Sequence, residues 1–343
     1  MNKKIAVGLS GGVDSAAAAY MLINQGFEVL GITLRLSQCN HTDTDIADAA
    51  AVARALGIEH RVIDASEKFE KKVVSPFISE YLAARTPNPC VICNREIKFG
   101  EKLDFALACG CEYLATGHYA RTENGRLFRS HSKKDQSYFL CCLSRAQLER
   151  AVFPLASMQK EEIRSLALSA DLPCAKRRDS LEICFVPDDN YTAFLTSRGV
   201  ASPPGDIIDT GGNIIGTHSG ITNYTIGQRK GLGAFGRPVF VTAIDAKSNT
   251  VTVGDNGKQY SNGFIADKLS LIESGTLDTV TRAEVKIRFR AQCASCTVTL
   301  LGDDKIKVVF DEPQRSVTPG QTAAIYSGDA VLGGARIIRT AFQ

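Results

Sequence analysis

No stretch of this 343-residue chain approaches the roughly 20 consecutive apolar residues that a membrane-crossing helix needs. The N-terminal MNKKIAVGLSGG breaks its short apolar run at glycine, too early for the hydrophobic core of an export signal. A cytoplasmic protein is therefore expected. There is no internal repeat and no low-complexity tract, which removes solenoids, arrays and disordered linkers from consideration. A large charge excess is missing too. The formal net charge is +3, which by itself does not argue for a nucleic-acid partner, although local basic clusters remain open to that use. The first glycine-rich loop, SGGVDS, is not followed by Gly-Lys-Ser/Thr, so it is not a Walker A phosphate loop.

What is present is ordinary globular composition, 44% hydrophobic and 22% charged, in a chain long enough for two or three domains. The 11 cysteines are odd in number and scattered, which fits reduced thiols better than a disulfide framework.

Strand and helix patterns alternate first. Lys4–Gly8 reads as a buried strand, Val13–Asn24 as an alanine-rich helix, and Val29–Thr33 as a second strand. Asp45–Gly57 reads as a helix, with Arg61–Ile63 and Tyr113–Thr116 as further strands. Such alternation predicts a doubly wound parallel sheet covered on both faces. Past SPPG (Ser202–Gly205) the chain turns glycine-rich, and from about Phe264 it reads as evenly spaced short strands, the pattern of a small β-barrel. The expected division is an α/β domain over residues 1–196, a small linking domain over 197–260 and a barrel over 261–343.

The glycine loop carries the first chemical signal. Ser10 to Ser15 joins a strand to a helix. Glycines there let backbone N–H groups point into one concavity, and the helix start adds partial positive charge, so the loop suits phosphate. The cysteines carry the second. Cys39, Cys109, Cys111, Cys141, Cys142 and Cys174 read as small buried hydrophobes. Cys90 and Cys93 form one CxxC, and Cys293 and Cys296 another. A four-thiolate zinc site would need both, but they fall in separate predicted domains. Cys93 in PNPCVICN and Cys184 in LEICFV stand apart by their contexts. Basic Lys176, Arg177 and Arg178, upstream of Cys184, could support its thiolate or form a solvated turn.

Taken in order, GLSGGVDS (Gly8–Ser15), TPNPCVICNREIKF (Thr86–Phe99), ATGHYAR (Ala115–Arg121), KDQSYFL (Lys134–Leu140), ICF (Ile183–Phe185), GTHSG (Gly216–Gly220), YTIGQRKGLG (Tyr224–Gly233) and VTPGQ (Val317–Gln321) span almost the whole chain. In these strings the chain resembles the tRNA-specific 2-thiouridylase family, within the ATP pyrophosphatase-loop enzymes, whose first domain is adenine nucleotide α-hydrolase-like. The resemblance implies ATP-dependent replacement of the 2-oxygen of the wobble uridine by sulfur, with adenylation of that oxygen and release of AMP and pyrophosphate. It also implies a cysteine desulfurase or sulfur-carrier protein as sulfur donor, and tRNA as the other partner.

Carried over by position, Cys93 resembles the nucleophile and Cys184 the persulfide-bearing cysteine. Gly8, Leu9, Ser10, Gly11, Gly12, Val13, Asp14, Ser15, Leu34 and Gly117 match ATP-binding positions, with Mg2+ accompanying the nucleotide. Asn88, Pro89 and Cys90 match the target-base positions. His118, Asp135, Gln136, Ser137, Arg288, Phe289 and Gln321 match tRNA-contacting ones. In VKIRFRA, period-two alternation would put Lys286, Arg288 and Arg290 on one strand face, with Phe289 opposite in the barrel core.

Two departures from the family pattern stand out. Cys90 occupies a position where many members have aspartate, and Ser180-Leu181-Glu182 replaces Ser-Gln-Asp before Ile-Cys-Phe. The first opens a second route, in which Cys90, Cys93 and Cys184 hold a 4Fe–4S cluster with one open iron. Two other classes also stand: an ATP-driven synthetase acting on a small molecule, and a non-enzymatic sulfur-carrier or tRNA-binding scaffold.

Overall fold

The structure, a computed structural model, describes residues 3–36, 42–177, 183–302 and 304–341. Cys39, Arg178 and Ser180-Leu181-Glu182 lie outside the described residues.

The apolar run KIAVG forms strand β1 (Lys4–Gly8), fully buried beyond its first residue. Burial on both faces is what a central parallel strand requires. Four further strands join it: β2 (Glu28–Arg35), β3 (Glu59–Asp64), β4 (Tyr113–Ala115) and, skipping a hairpin described below, a two-residue strand at Ala151–Val152. They form one sheet in the order β3-β2-β1-β4 and then Ala151–Val152, every pairing parallel. Chain direction reverses its walk between β1 and β4, the position where open α/β sheets leave a crevice at the strand ends. Helix α1 (Val13–Asn24) covers one face. Its Ala16, Ala17, Ala18 and Ala19 have no exposed surface, and small side chains let the helix lie close to the sheet. The other face packs on Phe99, Leu103 and Ala106. The doubly wound sheet expected from the sequence is the one observed. The helix expected over Asp45–Gly57 runs from Thr42 to Leu56.

One long helical run, residues 89–108, was not resolved by sequence reasoning. It starts as α-helix at Pro89–Cys93, widens to a π-helix over Asn94–Glu101 and returns to α-helix at Lys102–Ala108. Gln147 props the widened segment, donating from Nε2 to the carbonyls of Arg95 (2.8 Å) and Phe99 (2.9 Å).

The middle of the chain builds a four-stranded sheet from Gly205–Ile208, Ile214–His218, Val239–Asp245 and Thr250–Asp255. Beyond it, six antiparallel strands between Tyr260 and Ala341 close into a barrel, the first pairing with both the third-from-last and the last. Its interior holds Phe264, Val285, Val298, Ile306, Val308, Ile325 and Ile337. The barrel is not separate from the first domain. A hairpin of the first domain, β5 (Arg121–Glu123) and β6 (Arg126–Phe128), extends the barrel sheet through Leu127 opposite Val331. One apolar cluster contains Leu127, Tyr138 and Leu140 together with Ala324, Tyr326 and Val331. Arg336 adds a polar tie. It is bidentate to Asp267 (2.9 and 2.6 Å) within the barrel and reaches Glu80 (2.6 Å) of the first domain.

The basic strand read from VKIRFRA is corrected here. The strand ends at Lys286, and Arg288, Phe289 and Arg290 lie in the following turn, so alternation does not order them. Phe289 is not in the barrel core. It packs on Phe139 (ring centroids 4.4 Å apart) against the first domain, because the turn faces that domain rather than the barrel interior.

Candidate active site

The loop after β1 is organised by its own side chains. Ser15 Oγ donates to Gly12 O (3.0 Å) and accepts from Ser10 N (3.2 Å), and Thr33 Oγ1 donates to Leu9 O (3.0 Å). Gly11 sits at φ +70°, which glycine adopts without strain. Gly12 caps α1 and provides no side-chain acceptor, so the first N–H groups of the helix stay open toward the concavity. Gly117, just after β4, presses on this turn. A Cβ there would come within 2.7 Å of Asp14 C and 2.8 Å of Ser15 N. Leu34, near the end of β2, is half-buried against the cluster that contains Cys93.

Asp14 is held from two sides that sequence reasoning missed. Lys160 Nζ (2.6 Å) and Tyr119 OH (2.8 Å) both donate to its Oδ1. A lysine only 6% exposed beside a glycine loop is a natural phosphate counter-charge. Arg177 turns to the glycine loop. It donates to Gly11 O (3.3 Å), Asp48 (2.5 Å) and Asp45 (2.6 Å), which makes it a brace of the glycine loop. Among the described residues no three His, Cys, Asp or Glu side chains come together as a metal set. A Mg2+ that keeps its waters and the nucleotide phosphates needs only one or two carboxylates, and Asp14, whose Oδ1 takes both donors, fits that modest requirement.

Cys93 lies one helical turn past the TPNPC turn. Asn88 caps that helix, accepting from Cys90 N (3.2 Å), and Pro89 takes the first position, where its missing N–H costs nothing. The turn is clamped from outside its domain. Thr86 N donates to Pro319 O (2.9 Å), Gln321 Nε2 donates to Thr86 O (2.7 Å), and the Thr86 and Thr225 hydroxyls meet at 3.1 Å. VTPGQ and YTIGQ thus hold the cysteine turn in place, and Gln321 is used in that clamp.

Cys93 is 8% exposed, and Cys184 is exposed. They are electrostatic neighbours: Ile183, Phe185 and Val186 pack into the same apolar cluster as Cys93 and Ile97. Burial pushes the Cys93 thiol up to about 12, against the pull of Lys98 and, more weakly, Lys102. Cys90 is pushed up to about 11 by burial, with Lys98 again opposing. These two lysines are the cations beside the buried thiol. Cys90 and Cys184 both lie within electrostatic reach of Cys93, so the three thiols share one locality, although among the described residues they are not drawn together as a preformed metal set.

Lys102 is the other residue that sequence reasoning missed. It is 6% exposed, and its Nζ lies 2.7 Å from where a Cβ on Gly8 would stand. Burial, then the charge of Lys98, lowers its pKa to about 7. The helical face could have revealed it, since Lys102 lies four residues from buried Ala106 on the core side.

The positions matched to tRNA contact are spread along the seam between the first domain and the barrel. His118 lies at the end of β4, its Nδ1 2.7 Å from Thr116 Oγ1, between the rings of Phe99 and Phe153. Burial and the two lysines hold it well below the usual histidine range, so it is neutral. Asp135 accepts from Ser130 N, Ser137 N and Ser137 Oγ. Gln136 accepts from Tyr119 N, and Ser137 is fully buried. Arg288 donates to the carbonyls of Arg315 and Ser316.

Three family models match in sequence: a tRNA methyl transferase HUP domain over residues 3–188, a tRNA methyl transferase PRC-barrel domain over 192–255, and an aminomethyltransferase β-barrel domain over 261–337. A tRNA-specific 2-thiouridylase of Clostridioides difficile (strain 630) is 42% identical over 356 aligned residues, covering 97% of this chain and 98% of its own. The chain belongs to the tRNA-specific 2-thiouridylase family. A second 2-thiouridylase, from Trichlorobacter lovleyi, is 45% identical with 97% of each chain covered. Among solved structures, the U34-tRNA thiolase NcsA from Methanococcus maripaludis with its 4Fe–4S cluster overlaps 57% of this 2-thiouridylase-family chain and 65% of its own. It does so at 19% identity and a TM-score of 0.38, a likeness too distant to bear on chemistry.

Proposed function

We propose that this chain catalyses ATP-dependent 2-thiolation of the wobble uridine of tRNA. The observation that carries the reading is a shared site: β1 ends at Gly8, just before the glycine loop, against Lys102, and Lys102 lies within electrostatic reach of Cys93. An anion cradle and a buried thiol that open on one place suit a reaction that first activates an oxygen with a nucleotide and then delivers sulfur.

The open N–H groups of Gly11–Val13 and the Lys160 ammonium bind the phosphates. Asp14 would hold a Mg2+ accompanying them, which supplies charge neutralisation for the departing pyrophosphate. The target base must leave its stack to enter. Its O2 attacks the α-phosphorus, pyrophosphate leaves, and the 2-oxygen becomes part of a good leaving group. Sulfur arrives as a persulfide on exposed Cys184, where a donor protein such as a cysteine desulfurase or sulfur carrier has access. Cys93, in its buried position, releases that sulfur at the activated carbon, and AMP departs. The resulting Cys93–Cys184 disulfide is opened by a thiol reductant. Cys90, with its high proton affinity, stays a neutral thiol beside Cys93, able to donate a hydrogen bond where an aspartate could not.

The test supplies unmodified tRNA, ATP, a cysteine desulfurase and [35S]cysteine. Label entering tRNA with one AMP per sulfur is expected, and Cys93→Ser is expected to abolish labelling while ATP binding persists. Pyrophosphate release without labelled tRNA would point to a small-molecule synthetase. Retained labelling in Cys93→Ser would remove Cys93 from the chemistry.

A further inference from the structure

Lys102 is a buried cation with no structural employment. It makes no hydrogen bond or ion pair with any described residue, is 6% exposed, and stands on the wall of the site between the end of β1 and the thiol. Burying an amine without a partner is costly, so a fold that keeps one there needs a reason outside its own stability.

The helix geometry gives the reason. Cys93 and Lys102 are nine positions apart. In a regular α-helix at about 3.6 residues per turn that is two and a half turns, which sends them to opposite faces. Here residues 94–101 are π-helical and Lys102 N donates to Ile97 O, five residues back. With closure at i→i+5, roughly 4.4 residues make a turn, so nine positions span about two full turns and Cys93, Lys98 and Lys102 come round to one side. The widened segment is held open by Gln147. The side chains that sense one another along this face are Cys93, Cys90, Lys98 and Lys102, with His118 facing them from the end of β4.

We propose that Lys102 is the proton acceptor that ionises Cys93 for attack on the Cys184 persulfide. This rests on the reading of Cys93 as the sulfur-releasing thiol. The Cys93 S–H bond breaks, its proton bonds to the lone pair of neutral Lys102 Nζ, and the electron pair stays on sulfur. The thiolate attacks Cys184 Sγ. A Cys93–Cys184 S–S bond forms, the bond from Cys184 Sγ to the terminal SH of the protonated persulfide breaks, and that SH leaves with the pair as hydrosulfide. A dithiol reductant later returns two electrons and two protons to the disulfide, and Lys102 gives its proton to solvent. Lys102 suits the role because its amine, with a pKa of about 7, is largely neutral just above that pH. Lys98 supplies fixed positive charge for the thiolate, while neutral His118 adds none.

The test uses the full-length protein and reads two quantities: the pH profile of iodoacetamide alkylation at Cys93, located by peptide mass spectrometry, and the single-turnover rate of sulfur transfer from persulfide-loaded protein. In the native chain both should rise with pH through about 7, the value at which Lys102 loses its proton. Lys102→Met should lower both at least ~10-fold between about pH 7 and 9 while ATP affinity stays within about twofold. Small primary amines should restore Lys102→Ala, better with increasing amine basicity. An unchanged alkylation profile in Lys102→Met overturns the inference. So does loss of ATP binding, which would make Lys102 a phosphate ligand, or absence of amine rescue. Cys93→Ser separates the two levels. If Cys93→Ser still thiolates, the underlying reading has failed. If it is dead and Lys102→Met is native-like, only the role of Lys102 has.

Discussion

Gly117→Ala isolates what the tight contact between the end of β4 and the glycine loop contributes. Gly117 is not in the left-handed region, so alanine has no backbone objection there, and the whole effect must come from space. The added methyl would meet Asp14 C at 2.7 Å, Ser15 N at 2.8 Å and Asp14 Cβ at 2.9 Å, where ordinary contact begins at 3.4 Å. Relief therefore needs about 0.7 Å of movement, and the atoms that must move are backbone at the first turn of α1, the anion-binding N–H groups themselves. Overpacking of this kind costs about 1–3 kcal/mol of stability. A displacement approaching 1 Å at a positioning element can cost ~10²-fold in rate. Urea denaturation should show the stability loss. Calorimetric titration with ATP should show weakened binding, and tRNA-dependent pyrophosphate release should fall further than stability alone explains. Gly110→Ala is the control. It lies at φ +79° with no atom within 4 Å of the new methyl, so it should cost about 1–2 kcal/mol and leave ATP binding untouched. Native ATP affinity and pyrophosphate release in Gly117→Ala would refute the argument that this contact sets the loop.

Three further outcomes are expected. Lys102→Met should stabilise the protein near neutral pH. Between pH 10.5 and about 7 the unfolded chain binds a proton that folded Lys102 refuses, so native stability falls as pH drops through that window and is flat below it. The variant should lack this slope and gain on the order of 4 kcal/mol at pH 7, read by denaturation across pH; an unchanged slope would contradict the burial argument. Arg336→Ala strands the partly buried carboxylate of Asp267 and cuts the tie to Glu80, which keeps Arg85, and should cost up to about 3 kcal/mol, with a broadened or split unfolding transition as barrel and first domain uncouple. Gln147→Leu removes two donors from the π-helix carbonyls and should cost about 1–3 kcal/mol; a crystal structure of the variant should show the segment relaxing toward α-helix, with Cys93 and Lys102 rotated apart.

The sequence determined a good deal by local rules. Buried β1, alanine-rich α1 and the glycine turn between them follow from apolar runs, helix periodicity and the special backbone freedom of glycine, all of which act within a dozen residues. The strings around Cys93 and Cys184 marked the two thiols without any knowledge of their separation. Tertiary structure decided which charges serve those thiols. Lys176–Arg178 is nearer to Cys184 along the chain, yet Arg177 is drawn to Asp45, Asp48 and the glycine loop, while Lys98 and Lys102 reach Cys93. The strand alternation assigned to VKIRFRA failed for a related reason. Pairing of Val280–Lys286 stops where the chain meets the first domain, and Phe289 finds Phe139 there instead of the barrel interior. Lys102 shows the division most plainly. Its helix went unread in the sequence, and the π-helical widening that brings it round to Cys93 is held by a glutamine some fifty positions away, a long-range contact that leaves no local pattern.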